Sequence, residues 1–337
     1  MIGVIGASGN VGRIVVALLL ERAIVRPEQL RLFASAESAG QSLAINGVHF
    51  TLEDAESSDF SGIDCVIFNT EGPISAVLVP KALAAGAYVI DSSAHYRLDP
   101  SVPLIVPPVN AHLMSVKQKL YAHANCLSSP IATVLAPLHH AYPIERINIV
   151  TYQATSGAGK KALDECWQET AAVLRAEPYT RTQFKRPIAF NVIPQVGTLG
   201  PDGATSEEYK IIQELRKIID PAIAIAAMAV RVPVLRGHSV ALNVAFKNAL
   251  DWDHDWDALI GCLAAAPFVS LSTDQYHTPV EVVDSDQVFV GRIRRDPSVA
   301  HGLQLWLCSD NLRRGAATDA VEMLEVLLSL CQERQTL

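Results

Sequence analysis

Residues 1–12 read Met1-Ile2-Gly3-Val4-Ile5-Gly6-Ala7-Ser8-Gly9-Asn10-Val11-Gly12, and their reading decides the fold. The run up to Ile5 is apolar and strand-like. Gly6, Gly9 and Gly12 follow in a G-x-x-G-x-x-G spacing, and residues 14–23 lack Gly and Pro and carry helical spacing. A strand, a glycine turn and a helix in that order open a βαβ unit. The first N–H groups of such a helix point into the turn, which suits a pyrophosphate. For the glycines alone, an ordinary tight βα turn is the alternative. Further apolar runs at residues 30–34, 65–68 and 88–90, with a helical stretch at 74–85, continue the alternation. Strands alternating with helices predict an α/β fold, a Rossmann-type doubly wound parallel sheet.

From about Arg146 the texture changes. Residues 147–153 read as a strand and 160–176 and 206–219 as helices, while 230–234, 238–246, 288–293 and 303–308 alternate as strands with one wetter face. A second, α+β domain is predicted over 126–310. The dinucleotide-binding domain spans 1–125, and a C-terminal helix within 311–337 returns to it. The 337 residues include 27 Lys and Arg against 35 Asp and Glu, a formal charge of −8, and no basic block tracks a phosphate backbone. Nucleic acid is therefore not an expected partner. The longest apolar run, residues 222–230, is too short for a membrane span. The chain enters its first apolar run without a charged leader, and its six cysteines lack close pairs. These features predict a cytoplasmic protein with reduced thiols and no metal site.

Three places carry chemistry. Cys126, in Asn125-Cys126-Leu127-Ser128-Ser129-Pro130, opens a stretch read as helical to about Leu138. A thiol at a helix N-terminus is favoured as the thiolate nucleophile, whereas the other five cysteines read as small buried hydrophobes. A cysteine nucleophile needs a partner, and His238 stands seven residues after Arg231 across a turn between two strands. Ser156-Gly157-Ala158-Gly159-Lys160 lacks P-loop spacing but lets backbone approach a ligand closely. The acidic residue expected after the second strand is Glu37, whose carboxylate favours NAD over the 2′-phosphate of NADP.

These pieces, in this order, resemble the aspartate-semialdehyde dehydrogenase family over nearly the whole chain. The matching segments include Gly6 to Gly12, Ser38-Ala39-Gly40, Asp91-Ser92-Ser93-Ala94-His95-Tyr96-Arg97, Val106-Pro107-Pro108-Val109-Asn110 and Asn125-Cys126. They continue through Tyr152 to Lys160, Phe190-Asn191-Val192-Ile193-Pro194, Arg231 to Ser239, Val290 to Arg295 and Ser309 to Ala316. The resemblance implies NADPH-dependent reduction of L-4-aspartyl phosphate to L-aspartate 4-semialdehyde and phosphate, in lysine, methionine and threonine biosynthesis, by a homodimer. It makes Cys126 the nucleophile that forms a thioester, His238 the acid/base and Gln153 the residue that orients substrate. Arg231 and Glu207 would hold the substrate's carboxylate and amino groups, and Arg97 and Lys210 its phosphate. Cofactor contacts would fall to Gly6, Ser8, Gly9, Asn10, Val11, Gly12, Ser35, Glu37, Ser38, Ser156, Gly157 and Asn311. As plain chemistry, Glu207 and Lys210 also fit an i,i+3 helix pair.

Two positions depart from the family. Leu127 replaces a hydroxyl residue beside the cysteine, and Glu37 stands where NADP-using members carry arginine. N-acetyl-glutamyl-phosphate reductase shares the architecture, but its cysteine sits in a Gly-Cys-Tyr-Pro-Thr setting. A non-catalytic paralogue is the reading from another class.

Overall fold

The computed structural model describes residues 1–335 of the chain; the last two residues of the helix expected to reach 337 lie outside them. The chain divides into two compact units, residues 1–125 with 315–337, and residues 126–314.

In the first unit, β1 (Ile2–Ile5), α1 (Asn10–Glu21) and β2 (Leu30–Ala34) form the opening βαβ. β3 (Ser42–Ile45) and β4 (Val48–Thr51) make a separate hairpin, and β5 (Glu53–Asp54) returns to the main sheet. β6 (Cys65–Phe68), α2 (Gly72–Ala84), β7 (Tyr88–Asp91), β8 (Leu104–Ile105), α3 (Pro107–Asn110) and β9 (Leu120–His123) follow. The seven strands are parallel in the order β5-β2-β1-β6-β7-β9-β8. The chain moves one way from β1 to β2 and then returns to place β6 on the other side of β1. The crevice at the carboxyl ends of β1 and β6 is thus the topological switch point, where doubly wound sheets bind ligands.

The second unit contains α4 (Ser128–Ala141), β10 (Ile144–Gln153), α5 (Lys160–Leu174), α6 (Ser206–Ile218), β11 (Ala224–Arg231), β12 (His238–Phe246), α7 (Asp255–Ala265), β13 (Val269–Leu271), β14 (Val288–Arg295) and β15 (Gly302–Ser309). Its mixed sheet runs β11-β10-β12-β15-β14-β13. α8 (Thr318–Gln335) belongs to the first unit, where it packs on α1 and buries Ala320, Val321, Leu324 and Leu327 in the core shared with β1 and β2.

Three expectations shift. The strand read at 230–234 lies at Ala224–Arg231, within the Ala-rich apolar run, because β11 pairs in parallel with β10 from Ala224 onward. The helix read as opening at Cys126 starts at Ser128, which puts Cys126 just before the helix. The second unit continues past 310 to Arg314, because Asn311, Arg313 and Arg314 all bond within it, to Gly237, Asp286 and the Asp286 carbonyl.

Candidate active site

The glycine turn is built by exclusion. Gly6 has φ +73°, and a Cβ there would lie 2.4 Å from the Asn69 carbonyl oxygen. A Cβ on Gly12 would lie 2.2 Å from the Gly6 carbonyl oxygen, so both positions require glycine, whereas Gly9 is less crowded. The first intrahelical bond of α1 runs from Arg13 N–H to Gly9 O, which leaves the N–H groups of Asn10, Val11 and Gly12 in the first turn oriented toward the switch-point crevice. These donors and the close backbone approach fit a dinucleotide pyrophosphate. Ser35, Glu37 and Ser38 lie in the turn after β2, with Ser35 and Glu37 exposed and the Glu37 carbonyl accepting from Gln41 Nε2 at 2.9 Å. Arg31 is held by Glu53 through two bonds of 2.9 and 2.6 Å. Arg97, also in this unit, is buried and donates to the carbonyl oxygens of His123 at 3.0 Å and Ser92 at 2.6 Å.

The second unit gathers the other candidates at one end of its sheet. Gln153 and Arg231 are paired residues at the carboxyl ends of parallel β10 and β11, and His238 begins β12, antiparallel to β10. α6 is set by a capping box: Thr205 Oγ accepts from Glu208 N–H, and Glu208 accepts from Thr205 N–H. The other Glu208 oxygen accepts from Ala229 N–H of β11 at 2.8 Å, which docks the helix two residues before Arg231. Glu207 is thereby placed to accept from Gln153 Nε2 at 3.2 Å and from Lys210 Nζ at 3.3 Å. The i,i+3 ion pair foreseen for Glu207 and Lys210 is present, and Gln153 extends it into the sheet.

Ala154 joins two buried side chains, His238 and Arg231. Its N–H donates to His238 Nδ1 at 3.0 Å, and its carbonyl accepts from Arg231 Nη1 at 2.6 Å. Burial, and then the Arg231 charge, push the His238 imidazole well below its ordinary value, so the ring is neutral near pH 7. A ring whose Nδ1 accepts from a backbone amide carries its single proton on Nε2. That Nε2 is buried with no hydrogen-bond partner in the protein. A Cβ on Gly157 would come within 3.0 Å of it and 3.2 Å of Arg231 Nη1, so Gly157 keeps the space over both groups open. Burial also pushes the Arg231 guanidinium below its ordinary value, opposed by the charges of Glu207 and Cys126, which places the Cys126 sulfur within electrostatic reach of Arg231.

Cys126 is half-buried, directly before α4. Burial pushes the Cys65 and Cys308 thiols up to about 12 and raises Cys166 and Cys262 as well, so none of these four competes as a thiolate. Asn311 accepts from Gly237 N–H at 2.8 Å and bonds Ser156 Oγ at 3.0 Å. It ties the 154–158 turn to the turn before His238. His238 is itself buried. Ala154 itself escaped sequence reasoning because it acts through backbone groups alone. Among the described residues there is no cluster of His, Cys, Asp and Glu able to hold a metal ion, and no helix long and apolar enough to cross a membrane.

The family described as "Semialdehyde dehydrogenase, NAD binding domain" matches residues 1–116, and "Semialdehyde dehydrogenase, dimerisation domain" matches 135–314. Aspartate-semialdehyde dehydrogenase of Streptomyces akiyoshiensis is 40% identical, over 97% of this chain and 98% of its own. The crystal structure of aspartate semialdehyde dehydrogenase II from Vibrio cholerae complexed with ASA superposes with a TM-score of 0.92 at 36% identity, over 97% of this chain and 98% of that one. A probable aspartate-semialdehyde dehydrogenase from Pseudomonas aeruginosa gives a TM-score of 0.89 at 30% identity, over 97% and 98% of the two chains.

The buried neutral histidines fix the sign of a pH effect. His238 and His123 both fall below 6.5 because of burial. Between their folded values and about 6.5 the unfolded chain binds more protons, so stability is full above about 6.5 and declines as pH falls below it. Urea unfolding between pH 7.5 and 5.5 should show this decline, and His238→Gln should flatten it. An unchanged slope in that variant would show that His238 is not held neutral.

Proposed function

The chain belongs to the aspartate-semialdehyde dehydrogenase family, and from that premise we propose that it reduces L-4-aspartyl phosphate to L-aspartate 4-semialdehyde through a thioester on Cys126. The observation that carries the reading is the unpartnered Nε2 of His238 beside the Arg231 guanidinium at the space that Gly157 leaves open, with Gln153 paired to Arg231 across the strand ends and bonded to Glu207. The relatives reported above favour it over an acetylated-glutamyl-phosphate reductase and over a non-catalytic paralogue.

Arg231 is assigned to the substrate carboxylate and Glu207 to its ammonium group, with Gln153 orienting the chain between them. The Cys126 thiolate attacks the acyl carbon. A C–S bond forms, the C–O bond to the phosphoryl group breaks, and phosphate leaves. His238 offers Nε2–H to the carbonyl oxygen as it becomes an oxyanion. With Nδ1 engaged by Ala154 N–H, the neutral ring acts there as a hydrogen-bond donor, which narrows the acid/base role that the resemblance implied. A bound nicotinamide cofactor supplies the hydride that reduces the thioester. Cys126 then departs from the thiohemiacetal carbon and releases the aldehyde. Lys210 is assigned to the phosphoryl oxygens, and Arg97 keeps that assignment by resemblance. Ser156 and Asn311 act on the cofactor side by fixing the turn that bears Gly157.

For the cofactor itself, Glu37 stands in the exposed turn after β2, and Arg31 is already engaged by Glu53. A 2′-phosphate at about 4 Å from a carboxylate costs roughly 1 kcal/mol per unit charge in water and 4 kcal/mol at an effective dielectric of 20. The chain is accordingly read as accepting NAD as well as NADP. For assembly, helices α4, α6 and α7 pack together on the second sheet and against its β11, β13 and β14 strands. Val150, Met228, Ala241 and Trp306 form a row across β11, β10, β12 and β15, and Met228 is 55% exposed. An apolar row of this kind suits a second copy of the chain, so a homodimer is proposed.

Cys126→Ala is expected to abolish phosphate-dependent cofactor reduction with semialdehyde, with its unfolding midpoint close to that of the unmodified protein; retained turnover would rule out the thioester. Light scattering at micromolar concentration is expected to give twice the chain mass, and a monomeric mass would contradict the dimer. Glu37→Arg is expected to shift the kcat/KM ratio toward NADP by at least about tenfold, equivalent to about 1.4 kcal/mol. A strong NADP preference in the unmodified protein would show instead that Ser35, Ser38 and backbone amides hold the 2′-phosphate.

A further inference from the structure

Between the end of α5 at Leu174 and the start of α6 at Ser206, the chain runs without a helix or a strand. A stretch of this length inside a compact unit must find acceptors for its backbone N–H groups. Two carboxylates of α5 supply them. Glu165, 2% exposed, accepts from Thr182 N–H at 2.6 Å, Thr182 Oγ at 2.9 Å, Gln183 N–H at 2.8 Å and Phe184 N–H at 2.9 Å. One helical turn later, Glu169 accepts from Ile188 N–H at 2.8 Å, Ala189 N–H at 3.2 Å and Arg181 Nη1 at 3.0 Å. Residues four apart share a helix face, so the two carboxylates grip consecutive parts of the same stretch. Burial pushes the Glu165 carboxyl up, yet the donors from Thr182, Phe184 and Gln183 together outweigh it and hold it below its ordinary value.

The gripped stretch leads to the site. Phe190, at φ +55°, turns the chain, and Ile193 then exchanges both backbone hydrogen bonds with Arg231, at 2.9 and 2.8 Å. β11 is the edge strand of its sheet, so the outward N–H and C=O of Arg231 depend on this single bridge. The opposite side of the residue is fixed by its guanidinium bond to the Ala154 carbonyl.

We propose that Glu165 and Glu169 are positioning residues for substrate binding: a clamp of two carboxylates that holds residues 181–193 so that Ile193 seats Arg231. The proposal rests on the reading of Arg231 as the partner of the substrate carboxylate. It gives α5 a task in the reaction although neither carboxylate touches the site. The cost of burying two charges is offset by charge-assisted bonds from several donors each, the condition under which a buried carboxylate is tolerated.

The test uses the full-length enzyme with Glu165→Gln and Glu169→Gln, and Thr182→Ala as a milder variant that removes one hydroxyl bond. Arg181 and Lys185 are exposed within the gripped stretch and report on it by limited trypsin digestion. Cleavage there is expected to accelerate by at least about tenfold. The KM for semialdehyde is expected to rise by at least about threefold with the KM for cofactor nearly constant. Faster cleavage with an unchanged semialdehyde KM would overturn the proposal, as would unchanged cleavage, or an equal rise in both KM values with a lowered Tm. Arg231→Ala separates the two readings. If it leaves the semialdehyde KM unchanged, the assignment of Arg231 fails, whereas cleavage of the Gln variants still reports on the clamp.

Discussion

Ala154 offers the site nothing but a peptide group, and two functional side chains of the second unit, His238 and Arg231, are oriented by it. Its N–H fixes which nitrogen of His238 accepts, and its carbonyl fixes the direction of the Arg231 guanidinium. Were Nδ1 protonated, two donors would face each other and the ring would have to turn away. The same bond thus sets the tautomer, the neutral state and the aim of Nε2. Because Ala154 directly follows Gln153, the third side chain of the group is indexed by the same strand end. The pairing of Gln153 with Arg231 and of Tyr152 with Ser239 then determines which residues can meet. A slip of one residue in either pairing would reverse the faces and dissolve the group.

This arrangement explains why buried polar groups are tolerated at the end of an otherwise apolar sheet. Each is held by hydrogen bonds, and His238 keeps one buried nitrogen without a partner. His238 has Ala154 behind it and an unpartnered Nε2 in front, and Glu207 has Gln153 and Lys210 at its two oxygens. The unsatisfied direction faces the space above Gly157. A buried donor left without a partner costs about 1–3 kcal/mol, and a bound substrate oxygen would recover that cost. Electrostatic readiness of this kind is installed during folding, when packing elsewhere offsets it, and it needs no rearrangement at the moment of reaction.

How much of this could be read from the sequence depended on whether a feature resides in side-chain pattern or in backbone geometry. The glycine turn was legible because sterics at Gly6 and Gly12 admit nothing else, and strand-turn-helix order fixed a parallel sheet. Arg231 and His238 were legible as neighbours because a short turn separates two strands. The alanine-rich strand at Ala224–Arg231 was misplaced because alanine carries little strand propensity and pairing with β10 decides the matter. The helix was started too early at Cys126 because nothing in Asn125-Cys126-Leu127 signals that the chain enters the helix only at Ser128. Ala154 and the paired grip of Glu165 and Glu169 were illegible for a common reason: each acts on backbone N–H or C=O groups distant in sequence, which leave no residue-type signature.

The same distinction bears on the cofactor question. A pyrophosphate is recognised by backbone, so the glycines and the first turn of α1 constrain it tightly and say nothing about the ribose. The 2′ position, on the proposed reading, faces side chains in an exposed turn, where substitution carries little structural cost. Glu37 can therefore depart from the family habit without disturbing the fold, since the turn is held by backbone bonds from Ser38 and Ala39 N–H to Ser35 O and by Gln41 to the Glu37 carbonyl. Dinucleotide binding is thus bound up with the stability of the first unit. On the proposed reading, the choice between NAD and NADP falls to a few exposed side chains that can vary while the turn and the sheet stay fixed.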